Sequence, residues 1–450
     1  MYFEALLVNI IQLMKRYFPF SIIIVVLLLT FLHPSIDIKT AAPGQAPHFD
    51  TGDIAWMLVS TALVLIMTPG LAFFYGGMVN KKNVISTMLQ SLICMVIVTV
   101  MWVTFGFSLA FGDDVHGIIG NPGTYFMMKG MLGDAVWPAA KTFPLLLFAM
   151  YQLKFAIITP ALITGAFAER IRFNSYLIFV VLFAVFIYSP LAHSTWHPDG
   201  FLNKLGVLDF AGGTVVHMSA GWAALASALF LKRRADVSHA PARVTYVIIG
   251  TGLLWFGWFG FNAGSALGAS ALAATALATT TSAASAAGLT WVFFDMFRGR
   301  KPSAMGTCIG AVVGLVAITP AAGYVSVPHS LAIGIIAAIV SNLVVEWRTR
   351  TTIDDTLDVF PCHGVGGLVG MVLTGVFAHH NVNPAVTSNG LFFGETHLFL
   401  VQSMALIGVS IFAFFGSLLL LKVTDLISPL RVSVDEEAVG LDISQHGEKL

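Results

Sequence analysis

The sequence predicts an all-α integral membrane protein with 11 transmembrane helices, arranged as two inverted five-helix halves plus a final helix. Of its 450 residues, 57% are hydrophobic and only 10% are charged, whereas soluble domains carry about 25% charged residues. The mean hydropathy is +0.85, and apolar segments near the ~20 residues that cross a bilayer follow one another along the chain. This composition excludes a disordered chain and a large soluble domain. Three cysteines without paired spacing argue against a disulfide scaffold.

The first 46 residues, 1–46, have the pattern of a secretory signal peptide. Lys15 and Arg16 precede an apolar run over residues 17–32, and a polar stretch rich in small residues follows at 39–46. A positive flank, a short apolar core and small residues near the exit are typical of a cleaved signal. We expect cleavage near residues 42–46, and the alternative is a first helix that is retained.

The transmembrane domain is predicted to cover residues 47–424. The first ten spans form two halves, about 54–231 and 244–378, and helix 11 covers about 398–422. Because each half contains an odd number of spans, the two halves are expected to be inverted relative to each other. The predicted spans are 54–78, 84–111, 144–167, 174–193, 206–231, 244–264, 276–297, 304–322, 330–347, 359–378 and 398–422.

Positive charges mark one side of this domain. Sixteen lysines and arginines fall on alternate connections and near or in the C-terminal tail, 425–450, whereas the opposite connections carry Lys39, Lys129, Lys141 and Lys204. Because positively charged connections remain in the cytoplasm, the mature N-terminus is predicted outside and the tail inside. We therefore expect a multi-pass protein of the inner (plasma) membrane, surrounded by lipids. Basic and acidic residues are equal at 23 each, so no basic surplus indicates nucleic acid.

Two histidines lie within predicted spans, where ionisable groups are costly and usually functional. His217 is in the fifth span and His363 opens the tenth, so each belongs to the last span of its half. Inverted repeats place the substrate path at the repeat interface near the midplane, which would bring the two rings together. For that contact the tenth helix must begin deep in the protein, after an irregular segment at 353–361 that includes Pro361.

Several uses of a histidine pair remain open, namely metal or haem ligation, proton transfer and simple packing. Metal sites usually need a third ligand, and Cys362 would generally point away from its neighbour His363 on a helix. We therefore expect no metal and no cofactor. A pair that titrates near neutrality suits proton transfer or hydrogen bonding to a small polar molecule.

Aromatic and charged residues lie together near the outer ends of the spans. Tyr151 and Phe155 are in the third span, and Trp196 precedes the fifth. Such rings form either an interfacial belt or a cage that attracts a small cation. Asp209 is predicted to cap the start of the fifth helix, although it could also attract a cation. Lys154 is predicted to reach the outer interface, away from the path.

Seven long motifs occur in one order along the chain. Together they make residues 50–447 resemble the ammonium transporter family, which includes methylammonium permeases and Rhesus proteins, and specifically its bacterial ammonium transporter branch. The motifs are Asp50-Thr-Gly-Asp53, Pro69-Gly-Leu-Ala-Phe-Phe-Tyr-Gly-Gly77, Gly165-Ala-Phe-Ala-Glu-Arg170, Asp209-Phe-Ala-Gly-Gly-Thr-Val-Val-His217, Trp258-Phe-Gly-Phe-Asn-Ala-Gly264, Thr319-Pro-Ala-Ala-Gly-Tyr324 and His363-Gly-Val-Gly-Gly367.

The resemblance implies a role for particular residues along one path. Trp196, Ser265 and Tyr151 are implied as the external ammonium site, with Tyr151 standing where the family often has Phe. Phe155 and Phe261 are implied as a stacked gate below that site.

Deeper in the path, the resemblance implies His217 and His363 as paired pore histidines that transfer protons. It gives Asp209 a structural and electrostatic role near the external site. Trp258 and Thr319 are implied as further residues associated with the pore.

The implied function is ammonium uptake by a transporter rather than an enzyme. It would recruit NH4+ outside, deprotonate it and conduct NH3, with the proton following, through one pore in each subunit of a homotrimer. The tail segment 440–447 resembles the cytoplasmic segment that couples subunits and docks a PII-type signal protein. Alternatives are an ammonium sensor or transceptor with low flux, and a Rhesus-like gas channel.

Overall fold

The computed structural model describes residues 21–32, 37–42, 44, 46–237 and 240–450. The predicted signal peptide therefore lies partly outside the described residues. Its described part holds helix α1, Ser21–Leu32, and strand β1, Ile38–Lys39, which pairs in parallel with β4, Leu132–Gly133. Strands β2, Asp114–Val115, and β3, Ile119–Gly120, form an antiparallel pair in the same connection as β4. A strand within the predicted signal peptide is thus attached to the connection between the second and third long helices.

Eleven further helices of 15 or more residues lie between residues 51 and 427 of the described chain. Nine helices in the described ranges are long and apolar enough to cross a membrane. The other two, α8 and α9, coincide with predicted spans, but α8 is rich in Ala, Ser and Thr and α9 has only 15 residues. The helices are α2 Thr51–Met78, α3 Lys81–Phe111, α4 Leu145–Phe167, α5 173–196, α6 Gly213–Leu231, α7 Val244–Ala266, α8 Ala271–Phe297, α9 Ala304–Ile318, α10 Val327–Thr349, α11 Phe360–Phe377 and α12 His397–Ile427.

The predicted fifth span, 206–231, is wrong at its start, because α6 begins only at Gly213. Residues 205–212 are not helical, and Gly212 has a φ of 114°, a left-handed conformation that glycine adopts without steric cost. The tenth helix begins after an irregular segment, as expected, but this segment covers 350–358 rather than 353–361. Pro361 lies in the first turn of α11, which starts at Phe360.

Helix α12 has one exposed apolar face and one face packed against the rest of the protein. Exposed apolar side chains follow one another at spacings of three or four residues, which places them on one helix face. The opposite face packs against α5 and α6. The exposed residues are Leu400, Met404, Ile407, Ile411, Phe415 and Leu419.

The long helices pack around a central region shared by the two predicted halves. Helix α2 packs along α7, while α8, α9 and α10 pack together. Helix α6 contacts both α4 and α11 near the middle of the molecule. This arrangement brings the last helix of each predicted half into one place.

At one end of the bundle, the C-terminal tail folds against the connection between α2 and α3. Its helices α13, Val434–Val439, and α14, Leu441–His446, are short. The Asp442 carboxylate accepts hydrogen bonds from the backbone N–H groups of Ile85 and Ser86 at 3.1 and 2.7 Å. A carboxylate at a helix N-terminus satisfies unpaired donors there, so the tail caps the first turns of α3.

Candidate functional site

The aromatic residues predicted for the external site lie together at one end of the bundle. The Trp196 indole N–H donates to the Asp209 carbonyl at 3.0 Å, and its ring lies edge-on to Phe155 at 5.9 Å between centroids. The Tyr151 ring is 5.0 Å from Phe155, and the Tyr151 hydroxyl is 3.2 Å from the Ser265 hydroxyl. Three separate helices therefore contribute to one aromatic vestibule, made of Trp196, Tyr151, Phe155 and Ser265.

Two phenylalanines close the inner end of this vestibule. The Phe155 and Phe261 rings stack with their centroids 4.2 Å apart and their planes at 26°. Both side chains are buried. Offset stacking of two aromatic rings fills the space between them, so these two rings separate the vestibule from the space beyond.

Beyond the stacked rings lies a narrow, mainly apolar cavity. It contains the rings of both membrane histidines, His217 and His363, and only apolar side chains besides them. The lining residues are Met67, Leu71, Phe74, Ile158, Leu162, Val216, His217, Leu254, Trp258, Phe261, Val312 and His363. Eight of these, all but the two histidines, Trp258 and Phe261, were not predicted, because common apolar residues give no signal in a membrane sequence.

The two histidines are in direct contact inside the cavity. The Nδ1 atom of His363 lies 3.4 Å from Nδ1 of His217, and the ring planes are inclined by 25°. The His217 ring also stacks on Trp258, 5.4 Å away. In a pair that shares one Nδ1 proton, one ring donates and the other accepts.

The local sequence explains why the two rings meet. Each histidine lies in a π-helical first turn, Gly213–Met218 in α6 and Phe360–Val365 in α11, and such turns are frequent at functional sites. The helices cross where Gly221 touches Gly364, so closely that a Cβ on Gly221 would overlap the Gly364 backbone. Small residues at a crossing let membrane helices approach closely.

Asp209 lies just before the π-helical turn that holds His217. Its Oδ1 accepts from the N–H groups of Gly212 and Gly213 at 2.8 and 2.6 Å. Its Oδ2 accepts from the Thr214 N–H at 2.7 Å and from the Thr214 hydroxyl at 2.5 Å. The carboxylate accepts all four hydrogen bonds, three of them from backbone N–H groups at the helix start, so it caps α6.

Trp258 and Thr319 lie in contact beside the cavity. The indole N–H of Trp258 donates to the Thr319 hydroxyl at 2.9 Å, and that hydroxyl donates to the Leu315 carbonyl at 2.8 Å. These bonds fix the ring that stacks on His217. Lys154, next to Phe155, does not line the cavity.

A buried ionic cluster at the same end as the tail lies outside the predicted site. Arg234 binds Asp354 through two nitrogens, at 2.8 and 2.9 Å, and Glu169 at 2.7 Å. Glu169 lies in one of the recognised motifs, but its partners are far away in the sequence. Among the described residues, no group of three or more His, Cys, Asp or Glu side chains could hold a metal ion.

A bundle of helices long and apolar enough to cross a bilayer, packed around a narrow cavity, defines an integral membrane protein. Comparison with known proteins specifies it further. The model of the Ammonium Transporter Family matches residues 55–450. The chain therefore belongs to the ammonium transporter family.

Individual relatives agree with this assignment. An ammonium transporter of Aquifex aeolicus is 47% identical over 91% of this chain and 95% of its own length. One of Bacillus subtilis is 43% identical over 88% of this chain and 98% of its own. The crystal structure of Candida albicans Mep2 matches with a TM-score of 0.81 and 37% identity, covering 86% of this chain and 88% of that one. The Aquifex and Bacillus relatives are named as ammonium transporters rather than as enzymes.

Proposed function

We propose that this protein takes up ammonium, by binding NH4+ at the vestibule and conducting NH3 through the cavity with the proton following along the histidines. The observation that carries this proposal is the 3.4 Å contact between Nδ1 of His217 and Nδ1 of His363, inside a cavity whose other lining is apolar. Such a pair offers a donor and an acceptor where a polar solute would otherwise have none.

Recruitment of the cation uses the aromatic vestibule. The half-buried Trp196 ring attracts a cation through its quadrupole, and the buried Tyr151 ring completes the aromatic wall of the site. The Ser265 hydroxyl supplies an oxygen acceptor beside the Tyr151 hydroxyl. Together these groups replace part of the water that ammonium loses on leaving solution.

Deprotonation explains how a charged substrate crosses an apolar cavity. Burying an isolated ammonium in a medium of low dielectric costs far more than its local contacts return. Neutral ammonia avoids that cost, and it passes once Phe155 and Phe261 move apart. His217 and His363 then accept from and donate to ammonia. Potassium has no proton to lose, so the same cavity excludes it.

The membrane arrangement proposed for this function has 11 spans. Two inverted halves are followed by α12, with the mature N-terminus outside the inner (plasma) membrane and the tail in the cytoplasm. The π-helical turns that hold His217 in α6 and His363 in α11 support the correspondence of the two halves. We propose a cleaved signal peptide within 1–46 and a homotrimer with one pore per subunit.

We assign the tail the role of a docking site for a PII-type signal protein, linking transport to nitrogen status. Support comes from the bonds between Asp442 and the start of α3, which give the tail a defined place beside the bundle. An Asp442→Ala variant should bind a purified PII-type protein differently from an Asp435→Ala control. Equal binding by both variants would contradict the tail assignment.

The function is tested with purified wild-type protein in liposomes. An ammonium pulse should give a transient inward current that an excess of potassium does not reduce, while liposomes without protein give none. An ammonium-dependent rise in internal pH without current would indicate electroneutral ammonia conduction. If the liposomes show no current and no change in internal pH, transport is contradicted.

A sensor with low flux is the second candidate. It is favoured by the structural similarity to a protein titled Sensor Amt Protein, with a TM-score of 0.79 and 28% identity over 88% of this chain and 98% of that one. Ammonium binding without flux in the same liposomes would favour it.

A further inference from the structure

The hydroxyl of Tyr151 makes contacts that a cation-binding ring does not require. It lies 2.9 Å from the Gly260 carbonyl and 3.0 Å from the Phe261 carbonyl, and 3.2 Å from the Ser265 hydroxyl. Tyr151 itself is 0% exposed, whereas Ser265 is half-buried. A solute in the vestibule therefore reaches Ser265 and not the Tyr151 hydroxyl.

These contacts occur where α7 changes its helical form. A π-helical turn, Phe259–Ala263, is followed directly by a 3₁₀ turn, Gly264–Ala266. Regular i to i+4 pairing is interrupted at such a change, and side-chain hydroxyls are then available partners for its carbonyls. Tyr151, on α4, thus ties a second helix to this turn.

The donors and acceptors can be counted. The single Tyr151 proton has three acceptors in reach, the Gly260 and Phe261 carbonyls and the Ser265 oxygen. The Ser265 proton has two protein acceptors in reach, the Phe261 carbonyl at 2.8 Å and the Tyr151 oxygen. Both hydroxyl protons are therefore used within the protein, which leaves lone pairs of Ser265 Oγ for a donor in the vestibule.

A glycine supports this arrangement. A Cβ at position 264 would lie 2.8 Å from the Tyr151 hydroxyl oxygen and 2.8 Å from Cβ of Ser60. A contact that short forces a shift, so the hydroxyl keeps its place only because Gly264 has no side chain.

We propose that Tyr151 is a positioning residue whose hydroxyl holds Ser265 as a pure hydrogen-bond acceptor for an N–H-bearing cation. This inference rests on the proposed function and specifies the chemistry of its outer site. The hydroxyl sets the affinity of recruitment, while the later steps in the cavity do not depend on it. Phe at position 151 keeps the ring but removes the Tyr151 oxygen from the Ser265 hydroxyl, which then has only the Phe261 carbonyl as its partner in the protein.

The test is a double-mutant cycle with Tyr151→Phe, Ser265→Ala and the double variant, measured as ammonium currents in liposomes. Tyr151→Phe should raise the half-saturating ammonium concentration about 3- to 10-fold, the effect of losing one hydrogen bond, with the maximal current within about 2-fold. In the Ser265→Ala background the same change should add less than about 2-fold, because interacting residues are not additive.

Tyr176→Phe is the matched control. Its hydroxyl is equally buried and contacts Thr164 at 2.9 Å and the Gln90 carbonyl at 2.8 Å, away from the vestibule. It should leave the half-saturating concentration unchanged even where it lowers thermal stability. The proposal is overturned if Tyr151→Phe does not change the half-saturating ammonium concentration. It is also overturned if the change is equally large in the wild-type and Ser265→Ala backgrounds.

The outcome separates this inference from the proposed function. If the wild type carries ammonium current and Tyr151→Phe has the same half-saturating ammonium concentration, only the role of the hydroxyl is overturned. If the wild type gives no current, the ammonium affinities of the same four purified proteins are measured by calorimetry. Tyr151→Phe should again weaken binding less in the Ser265→Ala background, and the absence of this pattern overturns the proposal.

Discussion

Nδ1 of His217 and Nδ1 of His363 lie 3.4 Å apart although 146 residues separate them in the chain. One shared proton makes one ring the donor and the other the acceptor, which leaves the Nε2 atoms with opposite characters. Within the described residues, Nε2 of His217 has no hydrogen-bond partner. This nitrogen is therefore available to a polar solute in the cavity.

Asp209→Asn should destabilise the start of α6. An amide has one acceptor oxygen where the carboxylate uses two, and its NH2 group would face the Thr214 donors. Loss of charge-assisted bonds of this kind costs about 2 kcal/mol or more. We expect a lower melting temperature in detergent and a smaller ammonium current. Asp199→Asn, which alters an exposed pair with Lys204, should change neither, and equal effects of both would argue against capping.

Thr319→Val should disturb the ring that supports His217. The buried indole N–H of Trp258 would lose its acceptor, which costs about 1–3 kcal/mol. Thermal unfolding should shift down, and the maximal current should fall because Trp258 stacks on His217. The control is Thr281→Val, since the Thr281 hydroxyl bonds only within its own helix and is exposed. If Thr319→Val changes neither the melting temperature nor the maximal current, Thr319 does not support the Trp258 ring.

Asp358 should make stability depend on pH. It lies in the connection before α11, where burial raises the pKa of its carboxyl from 3.8 to about 7, against the opposing effect of Arg348 and with Asp355 adding to the rise. The folded protein then binds this proton more tightly than the unfolded chain. The resulting stabilisation is complete below about pH 4 and is lost as pH rises through about 7.

This pH dependence is measured as melting temperature between pH 4 and 8. Asp358→Asn removes the titrating group, so its stability should fall less with rising pH than that of the wild type. Asp435→Asn alters an exposed carboxylate of the tail and should follow the wild-type curve. Parallel curves for Asp358→Asn and the wild type would exclude the effect.

The main residues of the candidate site are predictable from the sequence because polar residues in a membrane are rare. His217 and His363 stood out as ionisable residues within predicted spans, and Pro361 indicated the deep start of the tenth helix. The family resemblance added Trp196 and Ser265, which composition alone does not distinguish from a surface belt.

Other features depend on contacts between distant segments and could not be read locally. The contact between His217 and His363 depends on the close crossing of α6 and α11 at Gly221 and Gly364. The Tyr151 hydroxyl binds α7 where a π-helical turn is followed by a 3₁₀ turn, and no local sequence pattern predicts this change. The Arg234 cluster joins three separate connections, so no short motif predicts it.

The most direct test of the account is the potassium current through His217→Asp in liposomes. The wild type should carry ammonium current and no potassium current. A carboxylate in place of the ring stabilises any cation in the cavity, so the variant should conduct potassium and lose its selectivity, while His380→Asp, an exposed histidine outside the cavity, behaves as wild type. A His217→Asp protein that still carries ammonium and excludes potassium would contradict the account.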